Sequence, residues 1–219
     1  TKGYYIIQDE ASALVASSIG LPLDKEYKIL DTCAAPGGKS LHIASKYFNS
    51  TLISCDKYIH KLKLIEDNKE KLGITNIQVK EQDATVNNNS FIENFDIVVC
   101  DVPCSGIGVI KNKPEIKYKI TSAYIEDIAK LQYQILKNSK NYVKQGGTLM
   151  YSTCTIDKRE NIKNIEKFLK ENKDFSLENI TLNNSIVKSR ENGVLEILPD
   201  EYSCDGFFIA KLKKMEAKC

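Results

Sequence analysis

The stretch "LDTCAAPGGKS", Leu30–Ser40, runs from an apolar strand through a turn of small residues toward a helix. The adjacent glycines Gly37 and Gly38 allow a tight turn, and the helix that follows presents unpaired N–H groups at its start. Such a turn suits a ligand that carries a carboxylate or another small polar group. The stretch therefore predicts a strand–turn–helix unit of an α/β sheet, with a ligand bound at the turn.

Apolar runs alternate with segments of helical spacing along the rest of the chain, which is typical of a doubly wound α/β sheet. The predicted strands are Lys28–Cys33, Thr51–Asp56, Ile77–Asp83, Phe95–Asp101, Thr148–Ser152, Val194–Leu198 and Gly206–Leu212. The predicted helices are Ala11–Ile19 with Asp9 as its cap, Lys57–Leu72 ended by Gly73, and Ala123–Val143 ended by Gly146-Gly147. Because no repeat or linker divides the chain, we expect one domain over residues 1–219, with a helical lead-in over 1–24 and the core over 25–219.

The composition argues against several classes of protein. With 42% hydrophobic and 27% charged residues, the chain has a globular rather than a disordered composition. Its apolar runs are far shorter than the roughly 20 residues of a membrane span, so we expect no membrane partner. Seven cysteines without a CxxC pair and only two histidines argue against a zinc site and against a complete disulfide framework. We therefore expect no metal and a reducing, cytoplasmic setting.

The spacing of the turn argues against two phosphate-binding motifs. The Walker motif requires a glycine where this chain has Cys33, and the dinucleotide fingerprint requires a third glycine besides Gly37 and Gly38. A nucleoside triphosphate and a nicotinamide dinucleotide are therefore disfavoured as ligands. The alternative that the turn is merely a loop stays open.

Acidic residues follow the next strands, at the edge where an open parallel sheet binds its ligands. Asp56 ends the second predicted strand, 25 residues after Asp31, and is placed to accept hydrogen bonds from both hydroxyls of a ribose. Asp83 ends the third predicted strand and is expected to face an adenine amino group. A ligand with a ribose, a base and an amino-acid end but no phosphate is S-adenosylmethionine.

Two cysteines follow neighbouring strands of the predicted sheet. Cys104 stands in the loop after the fourth strand, where packing hardly demands a cysteine, and Cys154 in "MYSTCT" follows the fifth. Both thiols are therefore expected to open into one crevice. Three further cysteines in or at the ends of apolar strands are interpreted mainly as packing residues: Cys33, Cys55 and Cys100.

Four stretches stand in order at compatible spacings: "LDTCAAPGGKS", "DVPCSGIGVIKNKPEIKY", "GGTLMYSTCT" followed by Glu160-Asn161, and "DGFFIAKLKK". Together with the lead-in "GYYIIQDEAS", they resemble the RNA cytosine-5 methyltransferases of the RsmB/Nop2/Sun group, from about Gly3 to about Lys213. The resemblance implies a Rossmann-like class I S-adenosylmethionine-dependent methyltransferase fold. Its sheet is expected to be mostly parallel and flanked by helices, with an antiparallel last strand.

The resemblance also implies the residues of the site. It places S-adenosylmethionine at the turn and the strand ends: Cys33, Ala34, Ala35, Pro36, Gly37, Gly38, Lys39, Asp56, Asp83 and Asp101. Cys154 matches the nucleophile of the family, and Cys104 matches a second cysteine needed for product release. A related interpretation makes Cys104 the nucleophile, as in DNA cytosine-5 methyltransferases with a Pro-Cys motif, but "STCT" favours Cys154.

The residue types suit this chemistry. C5 of cytosine is a poor nucleophile, and a thiolate added at C6 converts the ring into an enamine whose C5 can attack a methyl sulfonium. A free thiol has a pKa of about 8.5, so the site has to lower it, with Lys39 and a cationic cofactor as candidates. Asp101 is expected to hydrogen-bond the cytosine ring, and a target in a duplex has to be flipped out of its stack. The base that removes the C5 proton stays open.

The expected partner is RNA, either ribosomal or transfer RNA. Between Lys111 and Lys144, eight lysines stand against three acids, and tyrosines are interleaved with them. The tyrosines are Tyr118, Tyr124, Tyr133 and Tyr142. The segment is either a solvated helix face or a phosphate-tracking surface with aromatic platforms.

Two departures from the family pattern accompany the resemblance. Lys158 stands where many members carry a proline. The N-terminal RNA-binding domain that members often carry is expected to be absent from this chain. Two alternatives also stay open, namely a catalytically silent RNA-binding or ribosome-assembly factor with the same fold, and the methylation of a small molecule or a protein.

Overall fold

The computed structural model describes residue 5 and residues 7–182, 192–200 and 204–216, so that residues 1–4 and 6 of the predicted lead-in lie outside the described residues. One eight-stranded sheet organises the described chain. Its strands are β1 (Lys28–Asp31), β2 (Thr51–Asp56), β3 (Ile77–Glu81), β4 (Phe95–Asp101), β5 (Val143–Thr153), β6 (Phe175–Leu177), β7 (Val194–Ile197) and β8 (Phe207–Lys214). The order is β3-β2-β1-β4-β5-β8-β6, and β7 also pairs with β8. Strands β1 to β5 run parallel and β8 is antiparallel to its neighbours, which confirms the predicted fold class.

Helices cover both faces of the sheet. They are α1 (Glu10–Ser18), α2 (Gly38–Lys46), α3 (Ile59–Leu72), α4 (Ser122–Ser139) and α5 (Ile162–Glu171). On one face α1 and α2 pack around Ile29 and Ile97, and on the other α4 and α5 pack around Leu30 and Val98. Consecutive strand residues enter opposite cores, which explains why these strands are continuous apolar runs in the sequence. Within the described residues, no helix combines the length and the apolar character needed to cross a membrane.

Most predicted boundaries lie within two residues of the observed ones. The bounds of β2 and β4 are as predicted, whereas β3 ends at Glu81 because the pairing with β2 ends where Asp56 meets that residue. The carboxylate of Asp9 accepts two N–H groups of the first turn of α1, at 2.9 and 3.4 Å, which confirms the predicted cap. Gly73 ends α3 with a φ of +65°, as a C-cap glycine does.

The prediction that Gly146-Gly147 ends a helix is wrong. The helix α4 ends at Ser139, and both glycines lie within β5. There the register against β4 shifts, and Gly146 has a φ of +68°. A Cβ on Gly147 would stand 2.9 Å from the carbonyl oxygen of Lys144, so a side chain does not fit. The glycines form an irregularity of the strand, where β5 holds three more residues than β4 between successive paired positions, with left-handed backbone at Gly146.

The last third of the chain holds two elements that the sequence did not predict. The helix α5 buries Ile165 and Phe168 against the sheet, and β6 is only three residues long. A strand of three residues is too short to show an alternation of apolar and polar residues in the sequence. The helix α5 directly follows a loop rich in charged residues, which obscures its start. The predicted strands over 194–198 and 206–212 are confirmed as β7 and β8.

Replacing Asp9 with alanine is expected to lower the free energy of unfolding by about 1 kcal/mol, because two N–H groups at the start of α1 lose their acceptor. Urea unfolding followed by circular dichroism measures the loss. Asp127→Ala is the matched control, since its exposed carboxylate pairs with Lys130 and its removal costs less than about 0.5 kcal/mol. Equal losses in the two variants would contradict a capping role for Asp9.

Candidate active site

The C-terminal ends of the parallel strands border a cleft of about 410 Å³. Seven of the predicted site residues line it: Cys33, Ala35, Asp56, Asp83, Asp101, Cys104 and Cys154. The remaining predicted residues of the turn do not form part of this lining: Ala34, Pro36, Gly37, Gly38 and Lys39. The sheet thus brings together at one edge residues that lie far apart in the sequence.

The turn after β1 is folded closely against β2 and α3. The N–H of Ala34 donates to the carbonyl of Cys55 at 2.7 Å, and the N–H of Gly37 donates to the carbonyl of Ala34 at 2.7 Å. Gly37 has a φ of +105°, and a Cβ there would meet Ile65 Cγ1 at 3.1 Å. Both the backbone angle and the approach of α3 therefore favour glycine at this position.

Asp31 anchors both ends of this turn. Its buried carboxylate accepts hydrogen bonds from the N–H of Cys33 at 3.3 Å and from Ser40 Oγ at 2.6 Å. Burial raises the pKa of Asp31 to about 7, although the hydrogen bond from Ser40 opposes the shift. The sequence analysis did not predict that Asp31 anchors the turn. The feature that could have indicated it is an acid directly after the apolar residues Ile29 and Leu30.

Two carboxylates line the cleft on the side of β2 and β3. Asp56 accepts two backbone N–H groups of the neighbouring turns, at 3.0 and 3.3 Å. Asp83 lies beyond the end of β3, where Lys57 Nζ is 2.8 Å from its carboxylate and Thr85 Oγ1 donates to it at 2.7 Å. The hydrogen bonds from Lys57 and Thr85 lower the pKa of Asp83 to about 2. The carboxylate oxygens of this wall suit a ligand with hydroxyl or amino donors.

Lys39 and Asp101 form an ion pair at the site. Lys39 lies in the first turn of α2, and its Nζ is 2.8 Å from Oδ2 of Asp101 at the end of β4. Ser152, which is opposite Asp101 in β5, donates its hydroxyl to Oδ1 of the same carboxylate at 2.7 Å. Burial opposes the charge on Lys39, but Asp101 outweighs burial and raises the pKa of Lys39. The site therefore contains a fixed cation beside a fixed carboxylate.

Cys104 and Cys154 are free thiols in contact, with their Sγ atoms 3.2 Å apart. The hydrogen bond with Cys154 and burial raise the pKa of Cys104. The hydrogen bond from Cys104 lowers the pKa of Cys154 against the effects of burial and Asp101, and Lys39 acts in the same direction. The two thiols share one crevice, as the sequence predicts, and Cys154 is the one that ionises more readily.

The other strand cysteines have different surroundings. Cys55 and Cys100 are buried in the core, and burial raises their pKa values to about 12 and about 11, respectively. Cys33 is only partly buried and lines the cleft, so packing does not account for it fully. In the described parts of the chain, no group of three or more His, Cys, Asp or Glu side chains is arranged to hold a metal ion.

The lysine-rich segment divides into a surface part and a buried part. The lysines within residues 111–119 are exposed, and Tyr118 is 81% exposed among them. The N–H of Gly108 donates to the carbonyl of Cys154 at 3.1 Å, which holds this segment beside the cleft. Tyr133 and Tyr142 are buried in the core, so the alternative in which they serve as aromatic platforms does not hold for these two residues. Lys167 Nζ of α5 lies 4.0 Å from the centre of the Tyr133 ring, and the Tyr142 ring packs edge-on against Phe91.

Solved structures with the same architecture identify the class of protein. NSun6 from Pyrococcus horikoshii with SFG, an analogue of S-adenosylmethionine, has a TM-score of 0.84 and 31% identity, covering 99% of this chain and 54% of that chain. A methyltransferase homologue from the same organism has a TM-score of 0.81 and 25% identity, covering 98% of this chain and 69% of that chain. The fold and the cleft therefore define an S-adenosylmethionine-dependent methyltransferase of the Rossmann-like class.

Residues 18–213 match the family described as 16S rRNA methyltransferase RsmB/F, and the chain belongs to that family. It is 42% identical over 218 residues to the "Probable ribosomal RNA small subunit methyltransferase B" of Bacillus subtilis (strain 168). This alignment covers 97% of this chain and 48% of that protein. It is 30% identical over 220 residues to the ribosomal RNA small subunit methyltransferase F of Escherichia coli O157:H7. This alignment covers 98% of this chain and 46% of that protein. The chain thus spans about half the length of these curated relatives, and the resemblance noted in the sequence is confirmed.

Replacing Lys39 with methionine is expected to raise the pKa of Cys154, since the variant removes a cation that favours the thiolate and leaves Asp101 uncompensated. The pH profile of Cys154 alkylation by iodoacetamide, followed by peptide mass spectrometry, should shift to higher pH. Lys57→Met is the matched control, because Lys57 is a cleft cation paired with Asp83 instead. Coincident profiles for Lys39→Met and the wild type would show that Lys39 does not stabilise the thiolate.

Proposed function

We propose that this chain is the catalytic part of an S-adenosylmethionine-dependent methyltransferase that acts on C5 of a cytosine in small-subunit ribosomal RNA. Methylation of ribosomal RNA is supported by the family and by the names of the relatives. The observation that carries the choice of C5 is the pair of thiols 3.2 Å apart beside the Lys39–Asp101 ion pair. We also propose that residues 1–219 act as a single catalytic domain, for which the continuous sheet is the support.

The residues of the cleft fit the cofactor. When bound, S-adenosylmethionine supplies an electrophilic methyl group. The turn of residues 33–39 would hold its amino-acid end, Asp56 would hold the ribose hydroxyls, and Asp83 would hold the adenine amino group. Both carboxylates are already fixed by hydrogen bonds, so little side-chain entropy is lost when a ligand binds.

Cys154 is assigned as the nucleophile because of its ionisation. Its lowered pKa favours the thiolate, whereas the raised pKa of Cys104 keeps that thiol protonated. The Cys154 thiolate adds to C6 of the cytosine and forms a C–S bond. The electron pair of the C5–C6 double bond moves to C4–C5 and that of the C4–N3 double bond moves to N3, which gives an enamine. C5 thereby becomes nucleophilic. The alternative with Cys104 as nucleophile is disfavoured, because it would require the less acidic thiol to ionise.

Lys39 and Asp101 act on the ring during the addition. The Asp101 carboxylate can only accept hydrogen bonds, so it suits the exocyclic amino group of cytosine rather than the ring carbonyl. Lys39, 2.8 Å from Asp101, offsets the negative charge that a thiolate brings to the ring. The hydroxyl of Ser152 keeps the carboxylate in one orientation.

Cys104 is assigned to product release. After methyl transfer, a base, for which solvent water suffices, has to take the C5 proton. The C5–H electron pair then re-forms the C5–C6 double bond, and the C6–S bond breaks to release the Cys154 sulfur. Cys104 is the protonated partner of the 3.2 Å contact, so it donates a hydrogen bond to Cys154 as that sulfur departs as a thiolate. Without this hydrogen bond, the C–S bond is expected to persist.

Cys154→Ala is expected to abolish methylation and the covalent adduct with RNA, because the nucleophile is gone. Cys104→Ala is expected to accumulate an adduct that resists denaturant, because release is blocked. Tritium transfer from methyl-labelled S-adenosylmethionine to a 16S rRNA transcript measures turnover, denaturing gels measure the adduct, and bisulfite sequencing places the product at C5. Cys55→Ala is the matched control, since this buried thiol does not line the cleft and its variant should still transfer methyl groups.

Each alternative predicts a different result in the same assays. An adduct that accumulates in Cys154→Ala and is missing in Cys104→Ala would reverse the two assignments. Labelled RNA without a bisulfite-resistant cytosine would place the methyl group elsewhere than C5. RNA binding by the wild-type protein without any transfer would favour the assembly factor.

The exposed lysines of residues 111–119 are proposed to contact the RNA backbone beside the cleft. Lys113→Glu combined with Lys117→Glu is expected to weaken binding to a 16S rRNA transcript and to reduce the salt slope of log K by about 2, one for each lost phosphate contact. Fluorescence anisotropy over a series of salt concentrations measures the slope. Lys170→Glu combined with Lys173→Glu changes two exposed lysines at the far end of α5 and should leave the slope unchanged. Equal salt slopes for the wild type and both double variants would contradict a contact between these lysines and the RNA backbone.

A further inference from the structure

We infer that Glu160 is a positioning residue, which sets the separation of Cys104 and Cys154 by tying their two loops together. This inference rests on the proposed function of the two thiols. The carboxylate touches neither sulfur, and its effect passes through the residues that follow each cysteine.

The Glu160 side chain is fully buried between β5 and α5. Its carboxylate accepts four hydrogen bonds, and every donor is neutral. The donors are the Ser105 N–H at 2.9 Å, Ser105 Oγ at 2.5 Å, Thr155 Oγ1 at 3.1 Å and Gln132 Nε2 at 2.8 Å. A carboxylate is costly to bury unless its lone pairs are satisfied, and packing alone would be served better by an apolar side chain. The network therefore points to a role for the acid at this position.

Three of the four hydrogen bonds come from the two cysteine loops, and the fourth comes from Gln132 of α4. Ser105 directly follows Cys104 and Thr155 directly follows Cys154, and the two hydroxyls lie 2.9 Å apart although 50 residues separate them in the chain. The paired residues of β4 and β5 end before either cysteine. Glu160 thus holds together two segments that the strand hydrogen bonds no longer align.

Cys154 is itself held from other directions. The side chain of Asn161 binds both neighbours of Cys154. It accepts a hydrogen bond from the hydroxyl of Thr153 at 2.6 Å and donates one to the carbonyl of Thr155 at 2.8 Å. The carbonyl of Cys154 accepts the N–H of Gly108 at 3.1 Å. The backbone at Cys154 is fixed in this way, and Gln132 Nε2 donates to the carbonyl of Pro103 at 3.0 Å on the other side. The hydrogen bonds of Glu160 to Ser105 and Thr155 then link the two cysteine loops and set how closely Cys104 approaches.

The thiol contact is sensitive to such positioning. A hydrogen bond weakens steeply as its partners separate, and a displacement of about 1 Å at a reacting group can cost roughly 10²-fold in rate. The contact of the two thiols is also the main reason that Cys154 ionises more readily than Cys104. Loss of the bridge should therefore separate the sulfurs and weaken the assistance that Cys104 provides.

Two variants remove the bridge at different points. Glu160→Ala removes the acceptor, and Thr155→Val removes the hydroxyl on the Cys154 side with little change in shape, so it tests the bridge even if the first variant does not fold. Thr155→Ser keeps the hydroxyl and is the conservative variant. Asn76→Ala is the matched control, because its amide donates to four backbone carbonyls at the opposite edge of the sheet, at 3.0 to 3.5 Å.

The first readout is the rate at which diamide converts the two thiols into a disulfide, followed by mass spectrometry of the linked peptides. The thiols lose two electrons and two protons, and diamide is reduced to its hydrazine, so the rate reports proximity without RNA or cofactor. Glu160→Ala and Thr155→Val are expected to slow the reaction by about tenfold or more, with Thr155→Ser and Asn76→Ala within about twofold of the wild type. Equal rates for Thr155→Val and Asn76→Ala would overturn the inference.

The second readout is the denaturant-resistant adduct with a 16S rRNA transcript. Thr155→Val is expected to accumulate adduct relative to methylated product, as Cys104→Ala does, whereas Asn76→Ala keeps the wild-type ratio even if it is less stable. A wild-type ratio in Thr155→Val would contradict a role in positioning Cys104 for release. If the wild-type protein transfers no methyl group to RNA, the proposed function fails, and the diamide rates still decide the inference about Glu160.

Discussion

The register of β4 against β5 is the constraint on which the site depends. Asp101 stands opposite Ser152 in this parallel pair, so the chain leaves both strands at the same edge and the two cysteines meet with their sulfurs 3.2 Å apart. A slip of one residue would turn every side chain of one strand to the opposite face. The irregularity at Gly146-Gly147 lies at the other end of β5, and the pairing beside the cysteines continues without a shift.

Two buried carboxylates hold the loops that this register places at the edge. Asp31 accepts hydrogen bonds from both ends of the glycine turn, and Glu160 accepts them from both cysteine loops. Burial of a carboxylate is unfavourable, so each group is stable only while its donors remain in place. The same requirement restricts the loops to one arrangement, since a displaced loop would leave a buried charge without partners. Side chains that carry chemistry are then presented on a rigid frame.

How far the sequence predicts this protein depends on how local each feature is. The bounds of β2 and β4, the cap at Asp9 and the C-cap at Gly73 follow from neighbouring residues, and the structure agrees with them. A pair of glycines has the same local signature in a helix-ending turn and in an irregular strand, which is why Gly146-Gly147 was misassigned. A tyrosine in a lysine-rich segment faces solvent or the core according to where the sheet lies, and Tyr133 faces the core. The anchoring role of Asp31 was missed because its donors are identified only by the folded turn.

The sequence by itself determined the alternation of strands and helices over the first two thirds of the chain, the glycine turn after β1 and the presence of two cysteines at strand ends. These features follow from periodicity and residue type, which are properties of neighbouring residues. Only the tertiary structure decided which thiol ionises more readily, because that depends on a sulfur contact between residues 50 positions apart and on a lysine 2.8 Å from a strand-end aspartate. Electrostatic and hydrogen-bond energies depend on distances in space, and the distance along the chain does not specify them.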